Sequence, residues 1–167
     1  MRPAPRRNAA PSESKLKPDS KPDAVAVVVL RFAGADAEVL LLRRASGAFA
    51  GAWTFVMGGV EDGERATDTA RRELLEETGL RATALFTAGE LDAFYDPVRD
   101  RIVHVPFFVA HVDAGGVVLE AGVHDEHRWV TFAQAAELLE FASQRRVLDE
   151  LHRGFVARAP QSWRAIR

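Results

Sequence analysis

At 167 residues the chain has the length of one domain, and 47% hydrophobic with 28% charged residues is the balance of an ordinary globular protein. No apolar run approaches the ~20 residues that a membrane-spanning helix needs, and the N-terminus has no apolar segment of the kind that marks a secretory signal. The absence of cysteine excludes disulfides, thiolate metal sites and a cysteine nucleophile, and it fits a reducing cytoplasm.

The net charge of −2 is unevenly spread. Residues 1–22 carry six of the 22 cations but only Glu13 and Asp19 of the 24 anions. That stretch is rich in Pro and Ser and poor in large apolar residues, so it is expected to be a disordered basic tail, with 23–167 forming the folded domain. A basic tail can touch nucleic acid, but the plainer expectation is a solvated segment with no partner. Ala24–Leu30 (AVAVVVL) is a continuous apolar, β-branched run, the pattern of a strand buried on both faces. Gly34 and Asp36 mark a turn, and residues 38–44 (EVLLLRR) read as its hairpin partner. Residues 53–57 (WTFVM) form a third short strand that runs into Gly58 and Gly59. A helix over 66–78 (ATDTARRELLEET) follows and ends at Gly79, the residue suited to a left-handed cap. Strands are expected at 81–93, at 102–112, where Pro106 requires an edge or a bulge, and at 127–132. Two C-terminal segments beginning at Ala133 and Ser143 have helical spacing, with Val147, Leu148, Leu151 and Phe155 on one stripe. The expected class is α/β (α+β): one domain with a mixed sheet and helices.

The chemistry concentrates in Gly58–Leu80, GGVEDGERATDTARRELLEETGL. At ~100° per residue Glu73, Glu76 and Glu77 share an arc of roughly 100°. Like charges so placed repel one another unless a cation sits among them. Hard carboxylate oxygens at this density suit Mg²⁺ or Mn²⁺. Ala70 and Leu74 lie beside that face, placed to bury the helix against the sheet. Arg72, four residues before Glu76 and eight after Glu64, is placed to clamp the loop to the helix. Gly58, Gly59 and Gly63 permit tight turns and close approach of backbone to a metal or phosphate. Taken singly, an acidic helix face is usually solvated surface and a Gly-rich loop is a weak signal. The fixed spacing between the two carries the weight.

That spacing resembles the Nudix box, Gly-x5-Glu-x7-Arg-Glu-U-x-Glu-Glu-x-Gly-U, where U is a bulky aliphatic residue. Gly58, Glu64, Arg72, Glu73, Leu74, Glu76, Glu77, Gly79 and Leu80 match all nine defined positions. A weaker resemblance extends from about residue 24 to 156. It implies the Nudix α/β/α sandwich and Mg²⁺-dependent hydrolysis of a nucleoside diphosphate linked to another group. On this resemblance Glu73, Glu76 and Glu77 hold one to three divalent ions, the Gly58 carbonyl completes the shell, and Glu64 pairs with Arg72 as a support or outer ligand. Such ions neutralise the anionic diphosphate and activate the attacking water. The general base is Glu73 or Glu126, which in "DEHRWV" matches the place of a further glutamate near the metal in many family members. Its alternative is an exposed turn acid.

Outside the box, W-x-x-V-x-G-x-x-E (from Trp53) and "RWVTFAQAAELL…SQRRVLDELH" resemble the branch of dihydroneopterin triphosphate and dNTP pyrophosphohydrolases. The resemblance implies conversion of a (d)NTP or pterin triphosphate to a monophosphate and pyrophosphate. ADP-sugars and dinucleoside polyphosphates are the alternative substrates, with Pro97 keeping the ADP-ribose option open. A Nudix-fold sensor that binds a nucleotide without cleaving it is the alternative of another class. Such sensors usually lose box carboxylates, and all are present here. Arg43 and Arg44 end a strand where a cation can grip a phosphate, and alternation turns at most one of them inward. Trp53, Phe94 and Tyr95 are candidates to stack on a base, though each also suits core or rim packing. His104 and His111 are expected on opposite sides of their strand, and His124 and His127 read as surface residues of a turn. The partner is a small nucleotide-like diphosphate; the sequence leaves monomer and homodimer both open.

Overall fold

The computed structural model describes residues 20–34, 36–47 and 49–167. Apart from residues 20–22, the expected basic tail lies outside the described residues. In chain order the elements are β1 (Ala24–Ala33), β2 (Asp36–Arg44), β3 (Trp53–Thr54), β4 (Val56–Gly59), α1 (Ala66–Thr78), β5 (Ala84–Asp96) and β6 (Arg101–His111). These are followed by β7 (His124–Val130), α2 (Phe132–Leu138), α3 (Ala142–Phe155) and β8 (Ala165–Ile166). The strands make one mixed sheet in the order β3-β2-β1-β6-β5-β8, with β4 also paired to β1 and β7 to β2. Among the described strands, β1 and β6 are the one pair that runs parallel.

β1 is central because both its faces are apolar: Val25 through Leu30 are buried and alternate between two cores. On one side Val28, Leu30, Leu41 and Phe107 pack with Leu148, Leu151 and Phe155 of α3. On the other Val27, Val29, Leu40 and Leu42 pack with Ala70 and Leu74 of α1. Each such side chain contributes roughly 1.5–3 kcal/mol of burial, which holds the helices to the sheet as an α/β/α sandwich. Among the described residues no helix is long and apolar enough to cross a membrane.

Helix α1 has the bounds its sequence indicates, and Gly79 closes it at φ 70°, its amide donating to the Leu75 carbonyl. Other elements depart from the expectation. The strand expected over 53–57 is split at Phe55, whose amide donates to Gln144 Oε1 of α3 at 3.4 Å. Pro106 is not on an edge, since β6 lies between β1 and β5. The irregularity sits in the partner strand, where Ala88, Gly89 and Glu90 fall between the pairs Thr87–Phe108 and Leu91–Pro106. The last expected strand begins at His124 rather than 127, and two-residue β8, too short to leave a pattern, adds to the β5 edge.

Candidate functional site

Strand β4 is pinned to the centre of the sheet, with Gly58 opposite Val25 and Gly59 opposite Ala24. Helix α1 crosses beside it, anchored by Ala70 and Leu74, so its acidic face meets the start of the loop. The approach is closest at Gly58. A Cβ built there would lie 1.8 Å from Glu73 Cδ and 1.9 Å from its Oε1. Only glycine leaves room for this carboxylate.

Arg72 ties the cluster together. Its Nε and Nη2 each donate to a different oxygen of Glu64, both at 3.0 Å. Nη2 also donates to the Gly59 carbonyl at 3.0 Å, and Nη1 donates to Glu73 Oε1 at 2.7 Å and Glu76 Oε2 at 3.0 Å. Thr69 Oγ1 donates to Glu64 Oε2 at 2.7 Å. The Arg72 fork first, then Thr69, hold the Glu64 pKa down to about 2. Glu73 moves the other way, because burial penalises its charge more than Arg72 favours it. Glu64, Glu73 and Glu76 face one guanidinium, an excess of two negative charges. The donor set is therefore all-oxygen, hard and anionic, and it fits Mg²⁺ or Mn²⁺. Among the described residues no three acidic or histidine side chains are arranged around a common point; Glu73 and Glu76 are instead turned to Arg72.

Glu77 is buried and held elsewhere. Its Oε2 accepts from the Met57 amide at 3.3 Å, and its Oε1 lies 3.1 Å from His124 Nε2. His124 is thus not a surface residue of a turn: it is the buried first residue of β7. The sequence carried no sign of this, because the placement depends on a bulge. Arg43 pairs with Glu126 and Arg44 with His124, leaving Asp125 as an extra residue that reverses the alternation. Glu126 consequently sits on the Trp53 side of the sheet, bound to Arg43 at 2.8 Å and Arg128 at 2.7 Å, and is not brought to the α1 carboxylates.

A cavity of about 590 Å³ opens beside Gly58 and Gly59, lined among others by Arg44, Phe94, Phe141, Gln144 and Arg146. The hollow between β7 and α2, at Arg128, Gln134 and Glu137, touches no box residue. Of the two strand-end arginines, Arg44 reaches the cavity, its buried Nε without a hydrogen-bond partner among the described residues. Arg43 is taken by Asp125 and Glu126, both at 2.8 Å. Of the three aromatics, Phe94 lines the cavity, while Trp53 is buried in the core with the Arg128 guanidinium 4.7 Å from its ring. Tyr95, next along β5, is exposed and donates from its hydroxyl to Asp100 Oδ1 at 2.8 Å. Gln144, in the Gln-Arg-x-x-Leu stretch, donates to Thr54 Oγ1 at 2.8 Å on the cavity wall.

A family model described as the NUDIX domain matches residues 20–151. A Myxococcus xanthus protein named octanoyltransferase is 33% identical over 129 residues, covering 74% of this chain and 35% of that protein. The mouse asymmetrical bis(5'-nucleosyl)-tetraphosphatase is 31% identical over 117 residues, 69% of this chain and 78% of that one. Among solved structures, the MutT protein of Methanosarcina mazei Go1 superposes with a TM-score of 0.65 at 28% identity, covering 80% of this chain and 95% of its own. The chain spans only 31–42% of the length of several curated relatives it matches. The family match takes in most of both cores, the pinned glycine loop and every acidic residue of α1: the chain belongs to the Nudix family.

Proposed function

We propose that the chain hydrolyses a phosphoanhydride bond of a nucleotide with a divalent cation, Mg²⁺ or Mn²⁺, held by Glu73, Glu76, Glu77 and the Gly58 carbonyl. The observation that carries this reading is the Glu73 carboxylate packed directly over Gly58, inside a cluster with two surplus negative charges. When bound, the cation supplies charge neutralisation of the diphosphate and activation of water at neutral pH. The chain's own residues do the rest. Arg72 and Glu64 lock the loop to α1, so the carboxylates are held in place before substrate arrives. Glu73 and Glu76, now bound to Arg72, would be shared with the ion they hold, and Arg72 would keep Glu64 and the Gly59 carbonyl as its partners. Glu73 is the proton acceptor in this reading: Oε1 is engaged by Arg72, and Oε2 has no hydrogen bond among the described residues. Glu126, already paired with two arginines, is not assigned that part.

The cavity supplies recognition. Arg44 and Arg146 are cations suited to a phosphate chain, and Phe94 and Phe141 offer ring faces to a base. The first substrate reading is a nucleoside or pterin triphosphate cut to a monophosphate and pyrophosphate, supported by the Val56-x-Gly58 loop entrance and by Gln144 on the cavity wall. The second is a dinucleoside polyphosphate, favoured by the mouse tetraphosphatase, which matches more than two thirds of both chains. Reaction in ¹⁸O-water with dATP, diadenosine tetraphosphate and ADP-ribose in parallel separates them by product mass. The first reading expects dAMP and pyrophosphate from dATP at the highest kcat/KM. Much faster cleavage of diadenosine tetraphosphate would replace it with the second. Tight nucleotide binding with no turnover in Mg²⁺ or Mn²⁺ would leave only a sensor.

A further inference from the structure

We infer that His124 is a positioning residue for the cation site, fixing the Glu77 carboxylate at the oxygen that does not accept from the Met57 amide. The inference rests on the reading of Glu77 as a cation ligand. The two side chains are almost completely enclosed, 2% exposed for His124 and 6% for Glu77. Nε2 stands 3.1 Å from Oε1, off the line of a hydrogen bond, so the ring acts on Glu77 by contact. It fills the space into which that carboxylate would otherwise swing, and it keeps water from the buried oxygen. Nδ1 lies 3.3 Å from the Arg43 carbonyl, which sets the plane of the ring.

The backbone holds His124 for this role. Its amide donates to the Glu120 carbonyl at 3.3 Å, the Glu120 amide reaches the Glu77 carbonyl of α1 at 3.3 Å, and the Ala45 amide donates to the Val123 carbonyl at 2.8 Å. The segment that brings the imidazole is therefore tied both to the helix bearing Glu77 and to the end of β2. The bulge at Asp125 then aims His124 at α1 while Glu126 stays on the Trp53 side. A ligand free to change rotamer pays its ordering when the ion binds, whereas one already enclosed does not. Partners of this outer kind cost about 10- to 100-fold in metal affinity when removed.

Titration calorimetry of Mn²⁺ alone, then Mg²⁺ alone, into the full chain tests this with wild type, His124→Ala, His124→Gln and Glu77→Gln. His124→Ala is expected to bind Mn²⁺ about 10- to 100-fold more weakly, and His124→Gln, whose amide nitrogen reaches the place of Nε2, to recover part of the loss. Turnover of His124→Ala should approach wild type at saturating Mn²⁺, the apparent metal constant moving more than kcat. Wild-type affinity in His124→Ala with lost affinity in Glu77→Gln overturns the role of His124 and leaves the cation site standing. Wild-type affinity in Glu77→Gln overturns the cation site itself. A loss in His124→Ala that Gln does not relieve, with the metal-free melting temperature lowered equally in both variants, makes His124 merely structural. Mn²⁺ electron-spin-echo spectra of ¹⁵N-histidine-labelled protein are expected to show no directly bound nitrogen. A coordinated nitrogen would make His124 a ligand and overturn its positioning role.

Discussion

Gly58→Ala puts a methyl group where the Glu73 carboxylate now lies. The new Cβ would stand 1.8 Å from Cδ, 1.9 Å from Oε1 and 2.3 Å from Oε2. Non-bonded carbons settle at roughly 3.5 Å, so Glu73 must retreat by about 1.7 Å. The backbone at 58 is not in the left-handed region, so alanine itself is unstrained and the burden falls on Glu73, whose Oε1 is held by Arg72 at 2.7 Å. Inserting a methyl into a packed site costs ~1–3 kcal/mol, and a domain of this size loses roughly 2–4 °C in Tm per kcal/mol. A displacement of ~1 Å in a reacting group can cost ~10²-fold, so kcat/KM should fall by about 100-fold or more. Melting by circular dichroism and initial rates with dATP and Mg²⁺ read the two effects. Gly59→Ala is the control for stability, since its Cβ meets no heavy atom within 4 Å. In a Glu73→Ala background the stability loss on Gly58→Ala should vanish, because its cause has been removed. Wild-type stability and rate in Gly58→Ala, or a loss that persists without Glu73, would refute the close-approach argument.

Two further outcomes follow from the Arg72 cluster. Arg72→Lys keeps the charge but not the fork that reaches both oxygens of Glu64, so a lower Tm and weaker Mn²⁺ binding are expected together; unchanged affinity by calorimetry would count against a clamp. A Glu64 pKa held at about 2 contributes stability that is complete above the ordinary value of 4.5 and is lost as pH falls towards 2. Glu73, raised by burial, has the opposite sign, its contribution being lost as pH rises through its folded value. Urea unfolding of the metal-free protein on acidification should therefore be less pH-sensitive in Glu64→Gln than in wild type, and equal sensitivity would remove Glu64 from this role.

What the sequence made legible was local. The bounds of α1, the Gly79 cap and the shared arc of Glu73, Glu76 and Glu77 all follow from 3.6-residue periodicity. The double burial of β1 follows from an uninterrupted β-branched run. Placement of Arg72 between Glu64 and Glu76 could be read because loop and helix are adjacent in sequence. What stayed hidden depends on distant partners. The break at Phe55 is made with Gln144, 89 residues away, and the side on which Glu126 and His124 emerge depends on one extra residue in β7. A one-residue change of phase reverses every later side chain, so alternation alone cannot place these two groups. The same limit applies to Arg43 and Arg44: their parity is written in the sequence, but which one meets acids and which one meets the cavity is decided by β7 and α3.

The most direct measurement is the rate of dATP hydrolysis by wild type and Glu77→Gln, in EDTA and then with Mg²⁺ restored. Glutamine keeps the size of a buried side chain that lies against Met57 and His124 while removing its charge. Wild-type turnover should disappear in EDTA and return with Mg²⁺. Glu77→Gln should melt within a few degrees of wild type, yet be slower by about 10³-fold or more at any Mg²⁺ concentration. Equal rates for the two proteins, or wild-type turnover that survives EDTA, would contradict a divalent-cation site built on the acidic face of α1.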